Sequence, residues 1–353
     1  FRYLLQGPEP SPAAAEIYLD GYEQVDTLLT MDPPRHKVFR SLINKVFSAK
    51  RVEKMQDYME QIVDELIDNI IDKGACEFVQ EFATPLPVYV IADQLGVPRA
   101  DLRRIKAWSD AFASRLGGMV TADEELHNAR LIVEYQQYMV RIIEDRRAKP
   151  QDDMISDLAN TTIEDGRLLT MEELLSMIQQ LLVAGNETTT SAITGGLLSL
   201  IQLSDQLQLL LDDPAIIENA VEEILRLETP SAGLWRVVTR DTAIRGVDIP
   251  KGALLMLRYA AGNRDETVFS CPEQMDVRRA NADDHLAFGQ GTHFCPGAML
   301  ARKEMQVAFT RLLQRLTNIR LAEGENDLSH WPNVVLRGLK SLHITFDRRN
   351  SAA

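Results

Sequence analysis

Apolar residues recur every three to four positions along most of the chain, the period of helices with one buried face. Between Val46 and Asp72 they fall at Met55, Met59, Ile62, Val63, Leu66, Ile67 and Ile70, and the spacing predicts one helix. The stretch from Gly96 to Arg147 predicts two or three more, with a break at Gly117-Gly118. A polar loop containing Pro150 follows. Leu174 to Leu203 is the longest apolar run, but Gln179-Gln180 and Asn186-Glu187-Thr188-Thr189-Thr190 interrupt it. A bilayer span needs about 20 mainly apolar residues without such a cluster. The run therefore reads as a long helix buried in a protein core, and Thr170 with Glu173 supplies a capping box at its start. Asp205 to Leu211 is a short amphipathic piece. Asp213-Pro214 reads as an N-cap and first-turn proline, opening a helix through Leu227 that Thr229-Pro230 ends.

From Arg236 to Leu257 the pattern changes to short strands and turns. Residues 263–285 have turn composition, and Pro296 to Leu316 is helical again. Leu336 to Leu339 and Leu342 to Phe346 predict a final hairpin. No internal repeat is visible. The fold class is mainly α with minor β, read as a single domain over residues 1–353.

Composition narrows the function. With 353 residues the length allows one large domain or two ordinary ones. Thirty-eight basic against 52 acidic residues leave a formal charge of −14. Such a body is a poor generic nucleic-acid binder and is repelled by an anionic membrane surface. Cys76, Cys271 and Cys295 are the three cysteines, with no CxxC, so a disulfide framework or a Cys-rich zinc site is not expected. That usage suits the reducing cytoplasm. The six histidines lack the HExxH spacing. The chain opens at Phe1 without a methionine, and the expectation is that a leading segment is missing.

The segment with chemistry is Phe288-Gly289-Gln290-Gly291-Thr292-His293-Phe294-Cys295-Pro296-Gly297. Its glycines permit a tight turn and close approach of a flat ligand. The helix that follows points its positive end at the Cys295 sulfur, which favours thiolate. Two other readings exist: a buried cysteine in a glycine turn, and a catalytic thiol, for which no base and orienting partner stand out.

The whole segment resembles the haem-binding loop FGxGxHxCxG of the cytochrome P-450 family, matching at Phe288, Gly289, Gly291, His293, Cys295 and Gly297. The resemblance implies haem b held by the Cys295 thiolate, a ligand that favours O–O cleavage. Three further segments match in the family's order. Ala184-Gly185-Asn186-Glu187-Thr188-Thr189 resembles the oxygen-activation motif AGxET. By that match Gly185 leaves room for O2, Thr188 hydrogen-bonds it, Glu187 relays protons and Ala184 faces the cofactor. Glu223-Ile224-Leu225-Arg226 resembles ExxR. The family's third partner then falls on Arg279, with Arg278 as the weaker candidate, although Met275 stands where an aromatic is usual. Met31 to Arg40 resembles the DPPxHxxxR opening of a helix that meets the haem propionates, giving His36 and Arg40, with Arg236 and His293 completing a clamp.

The resemblance implies a monooxygenase of the soluble bacterial type, folded as one haem-centred unit, with O2 as co-substrate and a small hydrophobic organic substrate. Matched pocket residues are Leu182, Val183, Ala232, Gly233, Leu234 and Val335. No GxGxxG and no cluster-type cysteine spacing occur, so electrons come from a separate ferredoxin or flavodoxin with its reductase. Lys50, Arg51, Lys54, Arg302 and Lys303 are a candidate basic docking patch. No nucleic-acid partner or membrane anchor is expected, and the chain reads as a monomer. The alternatives are a peroxide-driven peroxygenase of the same family, a haem-binding sensor without turnover and a haem-free thiol enzyme.

Overall fold

The computed structural model describes residues 9–349 apart from 118, 119 and 164. The helices are α1 (Pro12–Tyr18), α2 (Arg35–Val46), α3 (Ala49–Lys54), α4 (Gln56–Ile71), α5 (Pro85–Gln94), α6 (Leu102–Gly117), α7 (Ala122–Ala148), α8 (Met154–Asn160), α9 (Met171–Gln202), α10 (Ser204–Asp212), α11 (Ile217–Glu228), α12 (Tyr259–Gly262) and α13 (Ala298–Arg315). The strands are β1 (Ala75–Glu77), β2 (Leu234–Val237), β3 (Thr242–Ile244), β4 (Val247–Ile249), β5 (Leu254–Leu257), β6 (Leu316–Leu321) and β7 (His343–Arg348). β1, β7 and β6 form one antiparallel sheet, β2 pairs with β5, and β3 pairs with β4.

The predicted helix over 46–72 is interrupted. Val46 ends α2, Ser48 is extended at φ −66° and ψ 149°, and a second break at Met55 separates α3 from α4. Short polar residues such as Ser48 favour this half-in position at helix starts. The apolar period survives within α4, where Met59, Ile62, Val63, Leu66, Ile67 and Ile70 are all buried. Gly117 closes α6, while Gly118 lies outside the described residues. The helix predicted to open at Pro214 begins with a 3-10 turn over Pro214–Ile216. It ends at Thr229, whose φ of 39° takes the backbone out of helix just before Pro230. No final hairpin forms between the two tail segments. β7 pairs instead with β1 and β6, while Leu336 bridges Ser231 and Leu339 bridges His330. Those partners are remote in sequence, so local turn signals do not reveal them.

α9 explains where a site can form. Thr170 and Glu173 make the expected capping box at its start. Leu174, Leu175, Met177, Ile178, Leu181, Leu182 and Val183 belong to one apolar core, built with α2, α5, α6, α7 and α8. Ala192, Ile193, Leu197 and Leu200 belong to a second, built with α4, α11, α13 and the β1–β7–β6 sheet. The polar stretch 184–191 lies between the two cores. Burial of the flanking apolar faces, worth about 1.5–3 kcal/mol per large side chain, holds this polar middle in place.

Candidate functional site

The loop carrying Cys295 is fastened before α13 begins. The Leu286 N–H donates to Asn263 Oδ1 at 2.6 Å, and Asn263 Nδ2 donates to Thr229 Oγ1 at 2.8 Å. Gly289 and Gly291 take φ of 66° and 75°, a backbone that favours glycine. The turn closes where the Cys295 N–H donates to the Phe288 carbonyl at 2.9 Å. Gly297 then caps α13, and the Gly297 and Ala298 N–H groups both face the Cys295 sulfur. Burial raises the Cys295 thiol above its ordinary range, while these N–H groups, Arg40 and Arg302 work against it and favour thiolate. Cys76 differs: burial, with Glu81 and Glu77 beside it, pushes its thiol up to about 12. Cys271 is exposed.

Four basic side chains converge next to this loop. Arg40 Nη1 donates to the Phe294 carbonyl at 2.6 Å, and the His36 and His293 ring centroids are 4.4 Å apart. Burial lowers the His293 pKa, and Arg236 and Arg40 lower it further. Burial likewise lowers that of His36, with His293 and Arg40 adding to it. Asp32 is the counter-charge both histidines feel. Both His36 ring nitrogens are buried and have no hydrogen-bond partner among the described residues. Arg35 and Arg167 both hold Glu173, so the start of α2 is tied to the start of α9.

The middle of α9 presents an open face. Ala184 is exposed although Val183 and Asn186 beside it are buried, and a Cβ built on Gly185 meets nothing within 4 Å. Thr188 Oγ1 donates to the Ala184 carbonyl at 2.7 Å. Glu187 meets Lys106 Nζ of α6 at 3.3 Å, and Lys106 also holds Asp110. Burial raises the Glu187 carboxyl; Lys106 counters this and Asp110 adds to it. On the opposite side Thr189 bonds Glu304 of α13, whose carboxyl burial pushes up to about 8.

Glu223 and Arg226 are both fully buried. Arg226 Nε and Nη2 donate to Glu223 at 2.7 and 2.8 Å, and its remaining N–H groups reach the carbonyls of Asn263, Pro272 and Gln274. Arg279 Nε donates to both Glu223 oxygens at 3.0 and 3.1 Å, whereas Arg278 is half-exposed near Asp213.

The family model described as cytochrome P450 matches residues 116–208 and 211–344. The chain is 37% identical over 328 residues to the cytochrome P450 monooxygenase PikC of Streptomyces venezuelae, covering 92% of this chain and 77% of that one. It is 36% identical over 319 residues to a steroid C26-monooxygenase of Mycobacterium tuberculosis, covering 90% and 85%. The chain belongs to the cytochrome P450 family. Among solved structures, cytochrome P450 CREJ in complex with (4-ethylphenyl) dihydrogen phosphate superposes with a TM-score of 0.91 at 29% identity, covering 97% of this chain and 86% of that one. P450BioI in complex with a ligated acyl carrier protein gives 0.86 at 33% identity, covering 97% and 86%.

A cytochrome P450 monooxygenase binds haem b and uses O2. The residues present fit that group. Unpartnered nitrogens on His36, and the Arg236 and Arg40 charges crowded on His293, suit two propionates. A sulfur at a helix N-terminus suits a ferric iron. The open face at Ala184 and Gly185 suits a flat ring. When bound, the haem supplies the redox centre at which O2 is reduced and its O–O bond is cleaved.

The matched pocket residues separate in the structure. Ala232 donates to the Val335 carbonyl at 2.8 Å, joining the segment after α11 to the tail, and Leu234 is half-buried beside them. Gly233 does not face open space. A Cβ there would lie 2.3 Å from the Leu257 carbonyl, so this glycine lets β2 pack on β5. Leu182 and Val183 pack into the helical core, not with Ala184 on the open face. The residues of the candidate basic patch differ in their partners. Arg302 is clamped by Glu222, Arg51 is paired with Asp157, and Lys303 Nζ reaches Gln56; Lys50 and Lys54 are exposed. Sequence reading missed Lys106, Asp110, Glu222, His285 and Glu304 as neighbours of the site. They come from other elements, and no local pattern marks them.

Among the described residues no helix is long and apolar enough to cross a membrane.

Proposed function

We propose that this monooxygenase inserts one oxygen atom of O2 into a hydrophobic organic substrate, with electrons delivered by a separate ferredoxin or flavodoxin system. In this reading residues 1–353 act as one catalytic domain, working as a monomer in the cytoplasm. Cys295 ligates the iron, and His36, Arg40, Arg236 and His293 receive the propionates. Phe288, Gly289 and Gly297 shape the cysteine side. Ala184 and Gly185 border the oxygen side. The Thr188 hydroxyl holds the proton nearest the reacting oxygen, and Glu187 carries protons inward from the Lys106 side. Ala232, Leu234 and Val335 border the substrate.

The observation that carries this reading is the open face of α9 at Ala184–Gly185, framed by an acid–alcohol pair in a helix otherwise buried on both flanks. That pair supports O2 use over direct peroxide use, since peroxide already carries the protons that the pair would help deliver. Relatives named as acting on steroids and in polyketide biosynthesis support a bulky, apolar substrate class.

The test is an optical titration of the haem-loaded protein against a panel of terpenoids, steroids, macrolides and fatty acids. Binding compounds are then turned over with ferredoxin, reductase and isotope-labelled O2. The expected product carries one labelled oxygen. Turnover with hydrogen peroxide alone, and none with the electron-transfer system, would replace this reading with the peroxygenase.

A further inference from the structure

Arg302 of α13 is held in a network that the haem-binding residues do not account for. Glu222 of α11 accepts from Arg302 Nε at 2.6 Å and from Nη2 at 2.8 Å, a two-pronged clamp. The same carboxylate meets His285 Nε2 at 3.1 Å. His285 Nδ1 accepts from the Ala287 N–H at 3.2 Å, so Nε2 carries the proton and donates to Glu222. Burial opposes the charge on Glu222, but His285 and Arg302 outweigh it and bring its carboxyl to about 2. Glu222 is therefore an anion at neutral pH.

The clamped guanidinium lies 4.5 Å from the centroid of the Phe288 ring. His285 contacts the same ring at 5.7 Å. Phe288 gives its carbonyl to the Cys295 N–H. One ring thus sits between a fixed cation and the backbone that presents the sulfur. Arg302 is also near enough to Cys295 for its charge to act on the sulfur.

We propose that Glu222, His285 and Arg302 are positioning residues that set the electron-donating strength of the Cys295 sulfur, by fixing one cation against Phe288 behind the loop. The inference rests on Cys295 being the iron ligand. A nearby cation stabilises the reduced, less positive iron, and a nearby anion stabilises the oxidised one. The two partners of the clamp should therefore act with opposite sign.

The experiment measures the haem reduction potential of the holoprotein and of Arg302→Gln, Arg302→Lys and Glu222→Gln, together with the spectrum of the reduced carbon monoxide complex and the melting temperature. Arg302→Gln is expected to lower the potential, shifting the one-electron reduction equilibrium about tenfold, or about 59 mV. Glu222→Gln, which leaves the arginine charge unmatched, is expected to raise it. Arg302→Lys keeps the charge but loses the planar clamp, and should recover part of the potential. Melting temperatures that fall while every potential stays unchanged, or potentials that shift in one direction for both Arg302→Gln and Glu222→Gln, overturn the inference alone. A parent protein without the thiolate signature overturns it together with the ligation reading.

Discussion

Arg226→Met is expected to cost about 3–5 kcal/mol of folding stability, because it strips one partner from a buried ion pair. Arg226 is completely buried, and its five N–H bonds go to Glu223 and to three carbonyls of the irregular stretch before the cysteine loop. Methionine fills most of the volume but satisfies none of those acceptors. The Asn263 and Pro272 carbonyls lose a donor, and Glu223 keeps only Arg279 and the Asp276 N–H. Asn263 also anchors Leu286. The variant should therefore lose haem as it loses stability. Urea unfolding and haem content measure both. Arg278→Met is the control: that side chain is half-exposed and 4.0 Å from Asp213, and its loss should fall within about 0.5 kcal/mol. Equal effects for the two variants would contradict the distinction between the buried Arg226 network and the half-exposed Arg278.

Thr188→Ala should leave the fold and haem content nearly intact while cutting product formed per electron pair by about 10²-fold, the lower range for a positioned proton donor. The hydroxyl bonds only the Ala184 carbonyl of its own helix, so the fold loses little. What is lost is a donor on the face that Ala184 and Gly185 leave open. Electrons should then leave as hydrogen peroxide. Thr188→Ser should restore much of the coupling. Peroxide and product, each counted against reduced nicotinamide consumed, decide the matter. Full coupling in the alanine variant would contradict the assigned role. Glu187 acts one step further out, since Lys106 and Asp110 of α6 surround its carboxyl.

The parts legible in the sequence are those with short-range causes. The capping box at Thr170, the buried period of α4 and the glycine turn around Cys295 each depend on residues within a few positions of one another. The long apolar run was readable as a buried helix because Asn186 to Thr190 break it. The division of that run between two cores was not, since it depends on which helices pack at each end. The same limit explains the tail, where β7 finds β1 across more than 260 positions. It also explains Arg302, which reads as a surface cation until Glu222 is seen opposite it. Gly233 resembles a pocket residue in sequence, and only the Leu257 carbonyl reveals it as a packing glycine.

The central claim is that the Cys295 sulfur binds the haem iron. X-ray absorption at the iron edge of the purified holoprotein tests it most directly. The account predicts a sulfur scatterer in the first shell, kept in Cys76→Ser and Cys271→Ser and lost in Cys295→Ser. A first shell of nitrogen and oxygen alone, or a sulfur that persists in Cys295→Ser, would contradict it.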